Sequence, residues 1–463
     1  MAVEYEGLGE WDFKGSNTKE YTHCFHIYPA MMIPQIARRL LKLYGKRGGL
    51  LFDPYCGTGT SLVEARLFGM DAAGTDLNPT ARMIAEAKTR DYDIPQLKTD
   101  IERFLEDLEE NLREIDNYDS FTEPEFVTFQ RLEDWFPEKT IGEICECIGR
   151  INLFQSESTK TFLTIALSEC LRLTSFQRNR EFKLYRIPEQ ERTNHYVAIF
   201  PLLQERLSRN LKGCAAFCDK VESSTSANIY GFNTVDNPGL DEIGVEPDIV
   251  VTSPPYGDSA TTVAYAQFSW LTNVWLGLED SAPGALDREL MGGSKEELTE
   301  LGFEPMDEAI AAIAEESETR ASEVMHFYSE YLKSLKNVAS VISGGGYACY
   351  VVGNRTVGGH QLPTDKFTAW AFEQWVVRRR AFASSSGTDG WNFSHPAFTH
   401  EKTYVREIPN KRMPSRNSPT NVAGQTSSTM MGEYIVVCRK RGKVPWWVVV
   451  GVGVLLGLLS KLG

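Results

Sequence analysis

Apolar residues along this chain recur at two spacings. Residues 34–44 (PQIARRLLKLY) place them at helical intervals behind Pro34, whose fixed φ and missing N–H suit a first helical turn. The run GGLLF then enters a glycine-rich turn, DPYCGTGT, followed by helically spaced SLVEARLFG. DAAGTDLNPTARMIAEAKTR repeats the sequence of strand, turn and helix. Two such units in succession predict parallel strands joined by right-handed crossovers. From residue 91 to 224 the pattern turns to long helical stretches such as IGEICECIGRINLF and KTFLTIALSECLRL. Strand signals return at NIYGF (228–232) and PDIVVT (247–252). A helix (FYSEYLKSLKNVASVI) then leads into GGGYACYVVG, and EYIVVCRK closes the folded part. The pattern predicts an α/β, Rossmann-like sheet formed by 1–90 and 225–440, with a large helical insertion at 91–224. Residues 384–429, rich in Ser, Thr, Asn, Pro and Gly, read as a long loop.

Composition narrows the classes. With 463 residues, 42% of them hydrophobic and 24% charged, the chain has enough apolar surface for a sizeable core. A net charge of −15 excludes a protein that wraps nucleic acid with its whole surface, but leaves room for a local basic groove. Nine cysteines without a CxxC pair argue against a disulfide framework or a zinc ribbon, and Cys145, Cys147, Cys214 and Cys218 read as buried thiols. Seven histidines show no metal-ligand spacing, so no metal is expected. The N-terminal residues lack the basic and apolar regions of a secretory signal, and the cytoplasm is the expected compartment. At the other end, 444–463 begins with VPWWVVVGVGVLLGLL behind a basic run. As a helix this stretch would reach about 24 Å, against a bilayer core of roughly 30 Å. A short membrane tail anchor and a docked hydrophobic tail both remain open readings.

Candidate chemistry sits in two turns. In the first, Asp53-Pro-Tyr-Cys-Gly57-Thr-Gly59-Thr60, the glycines let a ligand approach the backbone and a helix N-terminus presents free amides. Leu62 stands where a dinucleotide fingerprint would have its third glycine, which weakens that reading. Asp76, at the end of the next strand, is placed to accept hydrogen bonds from ribose hydroxyls. The second turn is Thr252-Ser253-Pro254-Pro255-Tyr256-Gly257, where two prolines fix an extended, rigid backbone. The Ser253 hydroxyl and the Pro254 carbonyl can accept the two protons of a nucleobase amine, leaving its lone pair free, while Tyr256 offers a stacking face.

DPYCGTGT with GTDLNP, followed by TSPPYGDS, resembles the S-adenosylmethionine-dependent, site-specific DNA amino-methyltransferases, which modify N4 of cytosine or N6 of adenine. KEYTHCFHIYPAMMIPQIARRLL, TTVAYAQFS, GGGYACYVVGN and IPNKRMPSRNSPTN are similar to further stretches of that family, so the resemblance spans about 18–90 and 225–440. It implies a class I methyltransferase sheet and S-adenosylmethionine as cofactor. It places Asp53, Gly57, Gly59 and Asp76 at the cofactor, with Thr22, His23 and Tyr28 near its methionine end. Near the adenine amine the family often has an acidic residue; Asn233 occupies that region and Asp236 follows three residues later, so the position stays open. Ser253, Pro254, Pro255 and Tyr256 form the catalytic turn, and a serine ahead of Pro-Pro-Tyr is similar to the N4-cytosine type. Cys56 lies in the cofactor turn, so no cysteine nucleophile for carbon methylation follows the prolines.

Double-stranded DNA with a flipped base is the expected partner, together with a cognate restriction endonuclease. Two basic clusters would contact phosphates. One runs from Arg172 through Arg178, Arg180, Lys183 and Arg186; the other, from Arg378 to Arg416, includes Lys411 and Arg412. Phe176, Tyr185, Trp391 and Phe393 interleave with them. Two rivals share these motifs: an RNA methyltransferase of the transfer-RNA guanosine-N2 type, and a non-catalytic nucleic-acid-binding homologue.

Overall fold

A computed structural model describes residues 5–6, 10–114, 132–178, 183–258, 262–278, 285–293, 300–374, 376–380, 392–408 and 432–442. Strand β1 (Tyr5–Glu6) is followed by α1 (Pro34–Tyr44), β2 (Leu50–Asp53), α2 (Thr60–Phe68), β3 (Asp71–Thr75) and α3 (Pro79–Thr89). Five helices come next: α4 (Ile94–Glu114), α5 (Glu138–Asn152), α6 (Glu157–Thr174), α7 (Glu189–Arg192) and α8 (Ile199–Lys220). The chain then returns through β4 (Ala227–Tyr230), α9 (Leu240–Ile243), β5 (Ile249–Thr252) and α10 (Tyr265–Trp275). Helices α11 (Glu304–Glu316) and α12 (Glu318–Val341) precede β6 (Tyr347–Val352), a small hairpin β7–β8 (Thr356–Val357, His360–Gln361) and α13 (Thr364–Glu373). Strands β9 (Val376–Arg380), β10 (Asn392–Pro396), β11 (Phe398–Glu407) and β12 (Gly432–Lys440) end the described chain.

Eight strands form one sheet in the order β1-β11-β12-β6-β5-β2-β3-β4. Strands β4, β3, β2, β5 and β6 are mutually parallel, and β12 enters antiparallel between β6 and β11. This is the Rossmann-like α/β architecture of the class I methyltransferases. Chain order proceeds outward from β2 to β4, then resumes with β5 on the other side of β2. The β2–β5 boundary is therefore the topological switch point, where ligands of open α/β sheets bind.

Alternation along the strands sorts the core into two faces. Leu51, Ala72, Ile249, Val251 and Cys349 pack with Ile36, Leu40 and Leu41 of α1 and Leu62 and Ala65 of α2. Their neighbours Phe52, Ala73, Val250 and Ala348 point the other way, against Tyr331, Leu335 and Val338 of α12 and Phe367 of α13. A third cluster gathers the helices between α3 and β4 around Phe104, Phe162, Leu163, Leu203 and Leu207, and reaches Phe25, Tyr28 and Trp275. Each of these large side chains, sealed from water, adds about 1.5–3 kcal/mol. All nine cysteines are unbridged; Cys145, Cys147 and Cys214 are buried and Cys218 is half-buried.

The stretch read as a loop over 384–429 contains β10 and β11 instead. Strand β10 pairs antiparallel with β9, and β11 runs beside β12 along its whole length. A register shift between His400 and Lys402 breaks the two-residue alternation, which hid β11 behind its polar and charged residues. Arg180, Trp391, Lys411, Arg412 and the apolar C-terminal run lie outside the described residues. Among the described residues no helix is long and apolar enough to cross a membrane.

Helix α8 holds the segment that carries Thr22, His23 and Tyr28 through hydrogen bonds from Arg209 and Asn210 to the Phe25 carbonyl and through a close approach at Gly213. A Cβ on Gly213 would come within 2.3 Å of the Tyr21 carbonyl oxygen and 2.6 Å of Cys24 Sγ. Gly213→Ala should therefore lower unfolding free energy by about 1–3 kcal/mol, as overpacked sites do. Urea titration measures it, and an unchanged midpoint would show that the segment and α8 can separate freely.

Candidate active site

The carboxyl ends of β2, β3 and β5, together with the loop after β4, open into one cleft. Its walls include Tyr28, Met31, Asp53, Gly57, Asp76, Phe232, Asn233, Ser253, Pro255, Tyr265 and Met291. Seven residues expected from sequence thus meet there: Tyr28, Asp53, Gly57, Asp76, Asn233, Ser253 and Pro255.

Asp53 ties the glycine turn to the proline turn. Its Oδ1 accepts from the Thr252 hydroxyl at 2.5 Å and the Tyr55 N–H at 3.1 Å, while its Oδ2 accepts from the Ser61 hydroxyl in α2. Only 3% of Asp53 is exposed. Burial pushes its carboxyl up to about 6, against the pull of these donors and with the help of nearby Asp76. Asp76 is held from below: Oδ2 accepts the Gly57 N–H at 3.1 Å and Oδ1 the Asn78 N–H at 2.8 Å. Each oxygen keeps lone-pair capacity for a hydroxyl of a ligand. A Cβ on Gly57 would meet nothing within 4 Å, so open space adjoins this turn. Gly59 serves packing instead, with φ +74° and Ala85 only 3.0 Å from its would-be Cβ. It caps α2 and lets that helix close on α3.

Asn233 lines the cleft, whereas Asp236 is exposed and outside it. The Asn233 carbonyl accepts from Asp236 and Asn237, and its Oδ1 accepts the Val235 N–H at 2.9 Å. Helix α12 pins this loop: Asn337 Nδ2 donates to the Thr234 and Val235 carbonyls at 2.9 and 3.0 Å. Ser334 bonds both the Thr234 hydroxyl at 2.7 Å and the Tyr55 hydroxyl at 2.5 Å.

Thr22 and His23 do not line the cleft. Thr22 is fully buried and donates to the Lys88 carbonyl at 2.8 Å. His23 lies 3.0 Å from Glu64, which also takes two hydrogen bonds from Arg38, and burial lowers the imidazole to about 4. Both side chains anchor the segment whose later residue, Tyr28, reaches the cleft. There Asn78, missed as a site residue although Asn-Pro at a helix start signals an N-cap, does the positioning. Its Oδ1 caps α3 through the Thr80 N–H, and its Nδ2 donates to the Tyr28 hydroxyl and to Ser269 of α10, both at 2.9 Å.

In the proline turn, Ser253 and Pro255 face the cleft, and Pro254 is buried. Tyr256 lies behind: its hydroxyl donates to Glu433 at 3.0 Å and sits 3.5 Å from the Ser253 hydroxyl. Asp258 pairs with Arg355 at 3.4 Å just beyond the turn. In the first basic cluster, Gln177 and Arg186 bridge as paired backbone positions, leaving Arg178 and Tyr185 exposed and Lys183 half-buried. Arg186 stacks over Trp135 at 5.0 Å and pairs with Asp134. Two expected nucleic-acid contacts sit elsewhere: Phe176 is in the core, and Arg172 packs over Phe268 at 4.3 Å. Of the second cluster, Arg378, Arg379 and Arg380 lie on β9, where Arg379 is the register partner of Phe393 on β10.

This sheet, with a carboxylate after β3 and a Ser-Pro-Pro-Tyr turn after β5, defines a methyltransferase. The family described as UPF0020, RMKL-like methyltransferase domain, matches residues 19–120. The type II methyltransferase M.MvaI of Kocuria varians is 35% identical over 452 residues, 92% of this chain and 93% of its own. A tRNA (guanine(10)-N2)-dimethyltransferase of Methanothermobacter thermautotrophicus is 44% identical over 52 residues, 11% of this chain and 16% of its own. The crystal structure of TrmN from Thermus thermophilus superposes with a TM-score of 0.28 at 9% identity, covering 88% of this chain and 49% of its own. The chain belongs to the type II DNA methyltransferases, whose methyl donor is S-adenosylmethionine.

The state of Asp53 predicts a pH dependence. Its folded carboxyl binds a proton more tightly than an ordinary aspartate titrating near 3.8, so its ionisation costs stability as pH rises through about 6. Wild-type stability relative to Asp53→Asn should fall by on the order of 2 kcal/mol between pH 4 and pH 7 and then level. Urea unfolding at each pH measures it; a constant difference would show that Asp53 titrates normally.

Proposed function

We propose that this enzyme, in the cytoplasm, methylates N4 of a cytosine flipped out of a specific double-stranded DNA sequence, with N6 of adenine as the next reading. The observation that carries this reading is Ser253, on a rigid proline turn, facing the same cleft as Asp76. S-adenosylmethionine supplies an electrophilic methyl group on a sulfonium. The side chains suit it: Asp76 offers a carboxylate for ribose hydroxyls, Phe232 an apolar wall and Asn233 an amide for the adenine edge, with Tyr28 and Gly57 completing the cofactor side. Across the cleft, the Ser253 hydroxyl and the neighbouring Pro254 carbonyl accept the amine protons, and Tyr256, next along the turn but outside the cleft's walls, is the stacking face for a base that enters past Ser253 and Pro255. Catalysis is then mainly positioning, since an amine held in line with its electrophile needs no covalent help from the protein. The amine's proton leaves during or after methyl transfer, toward these acceptors.

The helices between residues 91 and 224 and the chain on either side of β11 are the proposed DNA-reading parts. Arg178 and Lys183 would neutralise phosphates, with Arg186 supporting the same turn and Arg180, Lys411 and Arg412 adding charge from the same clusters. A cognate restriction endonuclease would cut the unmodified sequence. Likeness to the transfer-RNA enzyme is confined to 11% of the chain, whereas that to the type II enzyme spans 92%, which favours DNA.

Purified protein with labelled S-adenosylmethionine and either unmodified genomic DNA or transfer RNA tests the reading, each digested to nucleosides and resolved by mass. N4-methylcytosine in DNA is expected, and Pro255→Ala should be inactive. N6-methyladenine would overturn the base assignment, and label in RNA alone would overturn the DNA reading. Asp76→Ala should weaken S-adenosylmethionine binding about 10- to 100-fold, the loss expected for hydrogen bonds to a charged group. Titration calorimetry measures it, and unaltered affinity would remove Asp76 from the cofactor site.

A further inference from the structure

The base-facing turn is braced from an unexpected direction. Tyr256 has Glu433, the second residue of β12, as its hydroxyl's acceptor at 3.0 Å. The other oxygen of that carboxylate accepts from Arg406 Nη1 of β11 at 2.9 Å. Arg406 and Glu433 are register partners, next to the terminal pair of the β11–β12 ladder, Glu407 and Gly432. Their side chains are 8% and 16% exposed, so the ion pair is mostly shielded from water. Shielding and two charge-assisted contacts hold a carboxylate far better than a surface pair would.

We propose that Glu433 is a positioning residue for methyl transfer: clamped by Arg406, it fixes the Tyr256 hydroxyl and thereby the ring on which the target base stacks. A tyrosine ring after Pro254-Pro255 still has freedom about χ1 and χ2; one hydrogen bond at its far end removes most of it. The bond also sets the direction of the phenolic proton. With that proton pointing at Glu433, the oxygen presents its lone pairs on the side where Ser253 lies 3.5 Å away. The inference rests on the proposed role of Tyr256 at the flipped base. Its contribution falls on the bound base, so the loss should appear in kcat and leave the cofactor affinity intact.

The test compares wild type with Glu433→Ala, Glu433→Gln, Tyr256→Phe and the double variant Glu433→Ala/Tyr256→Phe, using unmodified plasmid DNA and saturating S-adenosylmethionine. Glu433→Ala and Tyr256→Phe should each lower kcat by about 10- to 100-fold, and the double variant should fall no further than the worse single one, because both remove the same contact. Glu433→Gln, which still accepts from the hydroxyl, should recover most of that loss. Affinity for S-adenosylmethionine should stay within about twofold throughout, since the contact lies outside the cofactor half. Tyr256→Phe at wild-type rate, additive losses in the double variant, or Glu433→Gln as poor as Glu433→Ala would each overturn the proposal. Should Glu433→Ala fail to fold, Tyr256→Phe and Glu433→Gln still decide it. A wild-type protein that methylates no DNA would overturn the functional reading itself, an outcome distinct from all of these.

Discussion

A single buried carboxylate sets the distance between the two halves of this active site. Asp53 lies at the end of β2, and its acceptors are occupied by the first turn of α2 through Ser61, by its own turn through the Tyr55 amide, and by the end of β5 through Thr252. Removing a carboxylate from water costs several kcal/mol, and only a full complement of donors offsets it. The residue following Thr252 is Ser253. Any slip of β5 against β2 would leave Asp53 short of a donor, so the energetic penalty on a bare carboxylate enforces the register between the glycine turn and the proline turn. Parallel pairing of Phe52 with Val250 alone would not specify it as tightly, because one apolar pair tolerates small shifts that a hydrogen bond does not.

The remaining walls are fastened by similar means, each reaching into a different element. Asn78 joins α3, Tyr28 and α10 through one side-chain amide. Ser334 and Asn337 join α12 to the loop that carries Asn233. Thr22 and His23 contribute from beneath, to Lys88 and Glu64. Polar contacts of this kind are directional and lose their value within a few tenths of an ångström, whereas the apolar clusters on both sheet faces supply most of the stability but little of the aim. The division separates what stabilises the fold from what aims the walls of the cleft.

Much of this was legible in the sequence because it is local. A strand end, a glycine turn and a helix start follow one another within DPYCGTGT, and the carboxylate in GTDLNP comes one strand later; such units carry their geometry in consecutive residues. Strands β2 to β6 and β12 were visible as apolar runs for the same reason. Strand β11 was not: its register shift leaves buried Phe398, Thr403 and Arg406 off a two-residue beat. Long-range partners were equally hidden. Nothing adjacent to Thr252 announces Asp53, and nothing near Tyr256 announces Glu433, 177 positions away. Thr22 and His23 show the opposite error, since a motif lying over a cleft need not direct every side chain into it.

Electrostatics adds a constraint that the sheet alone does not supply. A chain carrying −15 overall repels a polyanion at distances comparable to the Debye length, about 8 Å in physiological salt. Non-specific DNA affinity, which comes from counterion release at basic surfaces, is therefore confined to the few places where arginines and lysines gather. Arg178 stands exposed at such a place, while Arg172 and Arg186 are turned onto the rings of Phe268 and Trp135. The positive charge that DNA could meet in this region is smaller than its residue count. Among the described residues of this region, the sequence-independent attraction offered to a polyanion is reduced accordingly. Where the sequence-independent share of such an interaction is small, discrimination among sequences rests on contacts to the bases, because phosphate contacts position a duplex without reading it.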